Sequence, residues 1–263
     1  MSWLAVPKDW LASMGEIVRF CIRVMGLVFS GRVFQFFGEA LRQAGILILG
    51  STIVIWGLVF ILGLQCGIEG AYFTRSVGAP AYAGNFAAWC DLREVIPYAF
   101  GYMMSAKVGT GIVAELGAMR ISDEIDALEV MAVRSVAYLV STRVVAGVVV
   151  VIPLYCVAMV CAFLAARFGT TGFYHQSTGV YDHYFNTFLN STDLLWSLFT
   201  VVLMGIAVML VHTYYGYTAT GGPAGVGAAV GRSVRTSLIV LVLLLLAIAL
   251  SVYGQSGNFH LSG

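Results

Sequence analysis

The acidic side chains that could do chemistry are concentrated in one short segment of an otherwise apolar chain. Glu115 to Arg134, ELGAMRISDEIDALEVMAVR, holds five of the thirteen acidic residues. Ser122 is a good N-cap, and Asp123 and Glu124 place negative charge in a first helical turn, where it suits the helix dipole. An apolar stripe at helical spacing is formed by Ile121, Ile125, Leu128 and Ala132. The segment therefore predicts a short amphipathic helix with acidic residues off the stripe.

Two interpretations fit such a helix. It is either a solvated surface helix or a helix that presses apolar anchors into a groove on a soluble partner. The chain is sparing with charge elsewhere, since only 10% of its residues are charged. The topology derived below also places the segment at the cytoplasmic surface. We therefore favour docking on a partner.

A second polar group, His175, Asp182 and His183, could support acid–base chemistry if Asp182 oriented a histidine base. No serine in a strained turn and no set of acidic metal ligands accompanies it. The surrounding side chains are aromatic: Tyr174, Tyr181, Tyr184 and Phe185. Such residues are typical of a membrane interface. We favour a structural role and keep a membrane-embedded lipid-modifying enzyme as the alternative.

Motifs for binding nucleotides and metals are lacking from the sequence. A P-loop needs glycine directly before its lysine, whereas Pro7 and Ala106 precede the two lysines of this chain. The five cysteines have neither C-x-x-C spacing nor histidines in register with them. They are Cys21, Cys66, Cys90, Cys156 and Cys161. A disulfide between Cys66 and Cys90 stays open, and we expect no metal, cofactor or nucleic acid to bind this chain.

The elements that position these residues are membrane spans. The chain is 60% hydrophobic and has a mean hydropathy of +0.90, so lipid must surround most of it. A helix needs about 20 apolar residues to cross the hydrocarbon core. Five segments qualify: 44–64, 95–114, 144–166, 194–215 and 237–253. The second is the weakest, because it contains Lys107, and Pro153 predicts a kink in the third.

The basic residues orient these spans. With the N-terminus in the cytoplasm and the C-terminus outside, eleven of the fourteen basic residues lie inside. Residues 1–43 form a cytoplasmic segment in which Ile17, Cys21, Val24 and Val28 recur at helical spacing. They predict an interfacial amphipathic helix that bends near Gly31 or Gly38 into the first span. The start, MSWLAVPKDW, does not look like a cleavable signal peptide. The expected fold is thus all-α and integral to the membrane.

Residues 107–131, KVGTGIVAELGAMRISDEIDALEVM, resemble the signature of the MlaE/YrbE permeases, and residues 221–230, GGPAGVGAAV, are similar to the glycine-rich turn of that family. The tail looks most like the B-type YrbE subunits of actinobacterial, including mycobacterial, Mce systems. The resemblance makes residues 44–263 a permease domain and maps a coupling helix onto Glu115, Leu116, Met119, Arg120, Ile121, Asp123, Glu124, Ile125, Asp126, Leu128, Glu129 and Met131. It maps the cytoplasmic glycine-rich turn onto Gly221, Gly222, Pro223, Gly225 and Gly227.

The resemblance implies a permease of the inner membrane, without catalytic residues, that moves lipid. Its partners would be a second, A-type YrbE permease, a cytoplasmic ABC ATPase dimer that binds ATP and Mg²⁺, MCE-domain proteins on the outer side, and membrane lipids. The implied cargo is a fatty acid, mycolic acid or sterol, carried inward, and the cavity residues stay unassigned. A secondary transporter that acts without ATP is the other alternative, but the spans lack acidic residues at mid-depth.

Overall fold

The computed structural model describes residues 5–253, and this part of the chain consists of helices joined by short turns, without strands. The α-helices are α1 (Ala5–Phe29), α2 (Phe37–Ser76), α3 (Ala83–Trp89), α4 (Ile96–Met103), α5 (Thr110–Ile121), α6 (Glu124–Val130), α7 (Thr142–Phe168), α8 (Thr178–Phe188), α9 (Ser191–Tyr217) and α10 (Gly222–Tyr253). Turns of π-helix cover Cys90–Val95, Met104–Gly109, Val136–Ser141 and Gly169–Phe173, and 3₁₀ turns cover Arg32–Phe36 and Pro80–Tyr82.

Four helical stretches are long and apolar enough to cross a membrane: Phe37–Ser76, Val136–Phe173, Ser191–Tyr217 and Gly222–Val252. They contain four of the five predicted spans. Helices satisfy their backbone hydrogen bonds internally, which is what the bilayer interior requires. The chain is therefore a multi-pass membrane protein.

The fifth predicted span, 95–114, is not among these stretches. It is divided between α4 and α5, and the π-helical turn between these helices contains Lys107. The backbone nevertheless stays in the right-handed helical region at the junctions. Ile96 has φ −74° and ψ −43°, Met104 has φ −58° and ψ −45°, and Gly109 has φ −60° and ψ −47°. A fifth crossing therefore stays a prediction.

The fold divides into two compact units. Unit 1 comprises Met1–Leu47, Ser105–Val149 and Ile206–Val240, and unit 2 comprises Ile48–Met104, Val150–Gly205 and Leu241–Gly263. The chain passes from one unit to the other five times, each time within a helical stretch. Unit 1 holds eleven of the fourteen basic residues, and unit 2 holds Arg75, Arg93 and Arg167.

In unit 1, α1 shows the predicted amphipathic pattern. Ile17 and Val24 are buried, whereas Arg19 and Arg23 are exposed. The chain bends at Gly31, whose φ of +73° lies in the left-handed region that glycine adopts without strain. The other proposed bend, Gly38, lies inside the first turn of α2.

In unit 2, α2 and α7 pack backbone against backbone. A Cβ atom on Gly63 would lie 2.4 Å from the Ala162 carbonyl oxygen, and one on Gly67 would lie 2.2 Å from that of Ala166. Thr170 Oγ1 donates a hydrogen bond to the Gly67 carbonyl at 3.1 Å. Gly63 and Gly67 therefore permit close helix contact, as small residues four positions apart often do in membrane helices. Gly227 and Gly231 have the same spacing but face open space within this chain.

Candidate functional site: the α6 hairpin and an aromatic cavity

The acidic segment forms a hairpin, here called the α6 hairpin (residues 115–143), which joins the end of α5 to α6 and then to the start of α7. Its base is tightly packed. A Cβ atom on Gly216 of α9 would lie 2.9 Å from Cβ of Leu116, and one on Gly117 would lie 2.7 Å from a Val226 side-chain carbon of α10. These contacts fix α5 against two long helices, so α6 projects from a rigid base.

The prediction that Ser122 caps α6 is wrong. Helix α5 continues to Ile121, Ser122 follows as its C-cap, and the N-cap of α6 is Asp123. Asp123 has φ +59°, a left-handed conformation that Asp tolerates better than most residues. The hydroxyl of Ser122 instead donates to the Ala118 carbonyl at 3.0 Å. The competing bond from Ser122 back into α5 explains the displaced cap.

Helix α6 has one face turned inward and an apolar tip turned outward. Ile125 is fully buried and Leu128 is half-buried, so this part of the predicted stripe packs within unit 1. Val130 and Met131, at the end of the helix, are 88% and 64% exposed. Large apolar side chains with such exposure are candidates for contact with a partner. The sequence analysis did not single out Val130, which its helical stripe had left out.

The tip is held in a defined backbone conformation. The Val133 amide donates to the Leu128 carbonyl at 3.0 Å, and Ala132 between them has φ +60°. This is a Schellman ending with alanine at the position that usually holds glycine. Because alanine is disfavoured in the left-handed region, local contacts must hold it there.

Polar contacts brace the hairpin on both sides of α6. Arg120 bonds Asp126 at 2.6 Å across the Ser122 turn. On the other side, the Ser135 hydroxyl donates to Glu129 at 2.6 Å, and the Tyr217 hydroxyl lies 2.8 Å from Ser135 Oγ. Glu129, proposed as a partner contact, is therefore engaged within its own chain.

A buried arginine closes the hairpin. Arg143 Nη2 donates to Glu115 Oε1 at 2.6 Å, and Nη1 donates to the Leu139 carbonyl at 2.9 Å. The Arg143 side chain is 3% exposed and that of Glu115 is 46% exposed. Leu139 belongs to the π-helical turn Val136–Ser141, whose wider ring leaves carbonyls short of backbone donors. Arg143 thus ties α5 to the start of α7.

The proposed coupling residues fall into two groups. Leu116 and Ile125 are fully buried core residues. The others are exposed or half-buried: Glu115, Met119, Arg120, Ile121, Asp123, Glu124, Asp126, Leu128, Glu129 and Met131. The core pair therefore supports the hairpin, and only the second group is accessible to a partner.

The glycine-rich segment makes a tight turn before α10. Gly221 and Gly222 have φ of +90° and +69°. A Cβ atom on Gly225 would lie 1.8 Å from the Thr220 carbonyl oxygen, so only glycine fits there. Pro223 lies in the first helical turn, where its missing amide hydrogen costs little. Gly227 lies further along α10 and has no neighbour within 4 Å.

Unit 2 contains an apolar cavity of about 380 Å³. Its walls are mainly aromatic and aliphatic, and they include Phe73, Val77, Tyr82, Phe86, Trp89, Leu92 and Phe188. An ion pair lies at its edge, since Arg93 Nη2 bonds Asp193 Oδ2 at 2.6 Å. Apolar walls with a charged pair suit an amphiphile with an acyl chain. The cavity was not predicted from the sequence, because its walls come from residues more than 100 positions apart. The cluster of aromatic residues at 72–89 was the one local indication of an aromatic wall.

The polar group of His175, Asp182 and His183 is not arranged for acid–base chemistry. Both carboxylate oxygens of Asp182 accept hydrogen bonds from Arg167, at 2.7 and 2.8 Å. These bonds hold the pKa of Asp182 below its usual value. His183 packs its ring edge-on against Tyr184. The structural interpretation of this loop agrees with these contacts.

The sequence is similar to a family of membrane permeases. The family pattern of the permease MlaE matches residues 40–251. A probable ABC transporter permease of Rickettsia bellii is 32% identical over 161 residues, which are 57% of this chain and 58% of that protein. The intermembrane phospholipid transport system permease protein MlaE of Haemophilus influenzae is 22% identical over 245 residues, 89% of this chain and 94% of that protein. The chain therefore belongs to the MlaE family of permeases.

Proposed function

We propose that this protein is the membrane permease of an ATP-driven lipid transporter, with the ATPase on a separate chain. The family supports the transporter class, and the Haemophilus influenzae relative is named for phospholipid transport. The chain itself has no P-loop to bind ATP and Mg²⁺. Energy must then reach the spans through contact with a partner.

The observation that carries the proposal is the exposed tip of α6. Val130 and Met131 project from a hairpin that is braced by Arg143, Glu129 and their partners. Apolar anchors with polar residues around them are the usual centre of a docking surface. Because the base packs on α9 and α10, force applied at the tip would be transmitted to membrane helices rather than absorbed by a loose loop.

The proposed cargo is a lipid with one or more long apolar chains. The aromatic cavity of unit 2 supports this class, since it offers apolar walls beside the Arg93–Asp193 ion pair. A carboxylate or phosphate headgroup could lie near the guanidinium while the chain contacts Phe86 and Trp89. The Mce-type assignment, with a fatty acid, mycolic acid or sterol carried inward, follows from the resemblance of the tail to B-type YrbE subunits.

The proposed topology puts the α6 hairpin at the cytoplasmic side of the inner membrane and the loop that contains α8 at the outer side. This orientation is supported by the eleven basic residues of unit 1 and by the positive-inside tendency. Five spans then leave the N-terminus inside and the C-terminus outside. An A-type permease would complete the membrane part, and MCE-domain proteins would bind on the outer side.

The test is to place charge on the α6 tip. In the variant Val130→Glu/Met131→Glu, we expect the retention of the ATPase during purification to fall at least about tenfold, because two apolar anchors become charged. ATP hydrolysis stimulated by lipid should fall in parallel. Glu129 is left unchanged because its substitution would also break the internal bond to Ser135.

The matched control adds two adjacent carboxylates to an exposed helix of unit 2. Asn186→Glu/Thr187→Glu changes exposed residues of α8 and should leave ATPase retention unchanged. If the tip variant folds, reaches the membrane and retains the ATPase as well as the control does, the proposal is wrong.

A further inference from the structure

Asp91 is a buried acid with no partner. It lies in the π-helical turn Cys90–Val95 and is 0% exposed. Neither of its carboxylate oxygens has a hydrogen-bond partner among the described residues. A buried ionised carboxylate without a partner is strongly unfavourable. An ionised Asp91 would therefore need a cation beside it.

The nearest reactive groups are two sulfur atoms. The structure joins Cys66 of α2 to Cys90 by a disulfide, with the two Cα atoms 6.1 Å apart. This settles the pairing that the sequence left open. A carboxylate oxygen of Asp91 and both sulfur atoms lie within 4.8 Å of one another. Cys66 is 3% exposed and Cys90 is half-buried, so only the Cys90 side is open to reagents.

Among the described residues, no cationic side chain pairs with Asp91. Tyr181, on α8, is 1% exposed, and its hydroxyl has no hydrogen-bond partner in the described chain. Tyr181 and Tyr155 lie in the neighbourhood of Asp91. Phenols are neutral near pH 7 and cannot compensate an ionised carboxylate. A bound metal ion could.

We propose that Cys66, Cys90 and Asp91 form a binding site for a soft divalent metal ion, of the Zn²⁺ class, when the disulfide is reduced. Two thiolates and a carboxylate are ligands that Zn²⁺ accepts, and in a tetrahedral site sulfur atoms lie about 3.8 Å apart. The three ligand atoms need only small shifts to reach that arrangement from their present separations. The fourth position would be open to water on the half-buried side of Cys90.

The chemistry balances with a two-electron reductant. A phosphine or a dithiol gives two electrons to the S–S bond, and two protons complete the thiols of Cys66 and Cys90. Metal binding then displaces the protons of both thiols and of the Asp91 carboxyl group, which pass to solvent. Oxidation would re-form the disulfide and release the ion. In both states α2 stays tied to the turn Cys90–Val95, by a covalent bond or by the metal.

The experiment uses the purified full chain in detergent with Zn²⁺ and Cd²⁺ as probes. After reduction with a phosphine and removal of the reductant, we expect one Zn²⁺ per chain by elemental analysis. With Cd²⁺ we expect a sulfur-to-metal charge-transfer band in the ultraviolet. The oxidised protein should bind neither. Asp91→Asn, which keeps both sulfur atoms and nearly the same shape, should weaken the binding of Zn²⁺ by at least about tenfold.

Two variants separate this site from the other thiols. Cys21→Ser/Cys156→Ser/Cys161→Ser removes the three free cysteines and should keep full binding. Cys66→Ser/Cys90→Ser should lose Zn²⁺ binding, and its helix content, measured by circular dichroism, shows whether this variant folds. If the variant does not fold, the test rests on Asp91→Asn. Equal uptake by the reduced protein and by a folded Cys66→Ser/Cys90→Ser variant would overturn the proposal. Unchanged Zn²⁺ affinity in Asp91→Asn would likewise overturn it.

Discussion

The α6 hairpin of unit 1 and the α2–α7 contact of unit 2 are stabilised in opposite ways. Charged and hydroxyl side chains brace the hairpin, as in the Arg143–Glu115 pair at 2.6 Å. At the α2–α7 contact, Gly63 and Gly67 lie against the backbone of α7, and the Thr170 hydroxyl adds a hydrogen bond to the Gly67 carbonyl. The hairpin is held mainly by polar side chains, and the α2–α7 contact mainly by close approach of two backbones.

The difference teaches how this chain uses its scarce charge. A hairpin that leaves Val130 and Met131 exposed for the proposed partner does not bury them for its own stability, and polar bonds fix it instead. In lipid, close contact between small residues replaces the hydrophobic effect as a source of helix association. Substitutions in the α2–α7 contact should therefore destabilise the protein by steric overlap, and substitutions in the α6 hairpin by loss of polar bonds.

The largest effect is expected for Gly63→Ala/Gly67→Ala. Each added Cβ would meet a backbone carbonyl at well under 3 Å, and the backbone of α7 cannot turn aside as a side chain would. Overpacking costs about 1–3 kcal/mol per site, so the free energy of unfolding should fall markedly. Reversible unfolding in mixed detergent micelles measures it. Gly57→Ala, on the same helix with nothing within 4 Å, is the control and should not destabilise. Equal stability of the two variants would break the comparison.

An intermediate effect is expected at the ion pair. Glu115→Gln leaves Arg143 buried with a weaker acceptor, and should cost about 1–3 kcal/mol because Glu115 is partly solvated. Arg143→Met/Glu115→Gln should recover part of that loss, since no buried charge then remains. A double-mutant cycle on the free energy of unfolding measures the coupling. Strictly additive single substitutions would show that the pair does not brace the hairpin.

The smallest effects are expected when either of two alanines near the tip is changed to glycine, and the free energy of unfolding should change in opposite directions at the two sites. Ala132→Gly should stabilise by about 1 kcal/mol, because glycine adopts the positive φ of the Schellman ending without strain. Ala127→Gly, in the body of α6, should destabilise by about 0.5–1 kcal/mol. Thermal unfolding of both variants gives the comparison. Destabilisation by Ala132→Gly would contradict the assigned backbone conformation.

Local patterns predicted the hairpin better than the core of unit 2. Helical spacing placed Ile125 and Leu128 on an inward face, and apolar runs located four spans. The N-cap of α6 was misplaced by one residue, because the Ser122 hydroxyl bonds the Ala118 carbonyl and the Glu124 carboxylate rather than a backbone amide of α6. The spacing rule also passed over Val130, because exposure depends on which face the rest of unit 1 covers.

Contacts between distant residues lay beyond the sequence. The Cys66–Cys90 disulfide, the cavity beside Arg93 and the Arg143–Glu115 pair join positions 24 to 100 residues apart. The hydrophobic periodicity of one segment does not show which distant residues will pack against it. Gly63 and Gly67 were predictable as small residues at i, i+4, yet the same spacing at Gly227 and Gly231 gave no contact within the chain.

The most direct test of the central claim is the side of the membrane on which the α6 tip lies. With Cys21, Cys156 and Cys161 changed to serine, Met131→Cys and Asn186→Cys each introduce one exposed thiol, on the hairpin and on α8. A maleimide that cannot cross the membrane is then applied to intact cells. The account predicts that Asn186→Cys reacts at once and that Met131→Cys reacts only after the membrane is opened. Reaction of Met131→Cys in intact cells would contradict it.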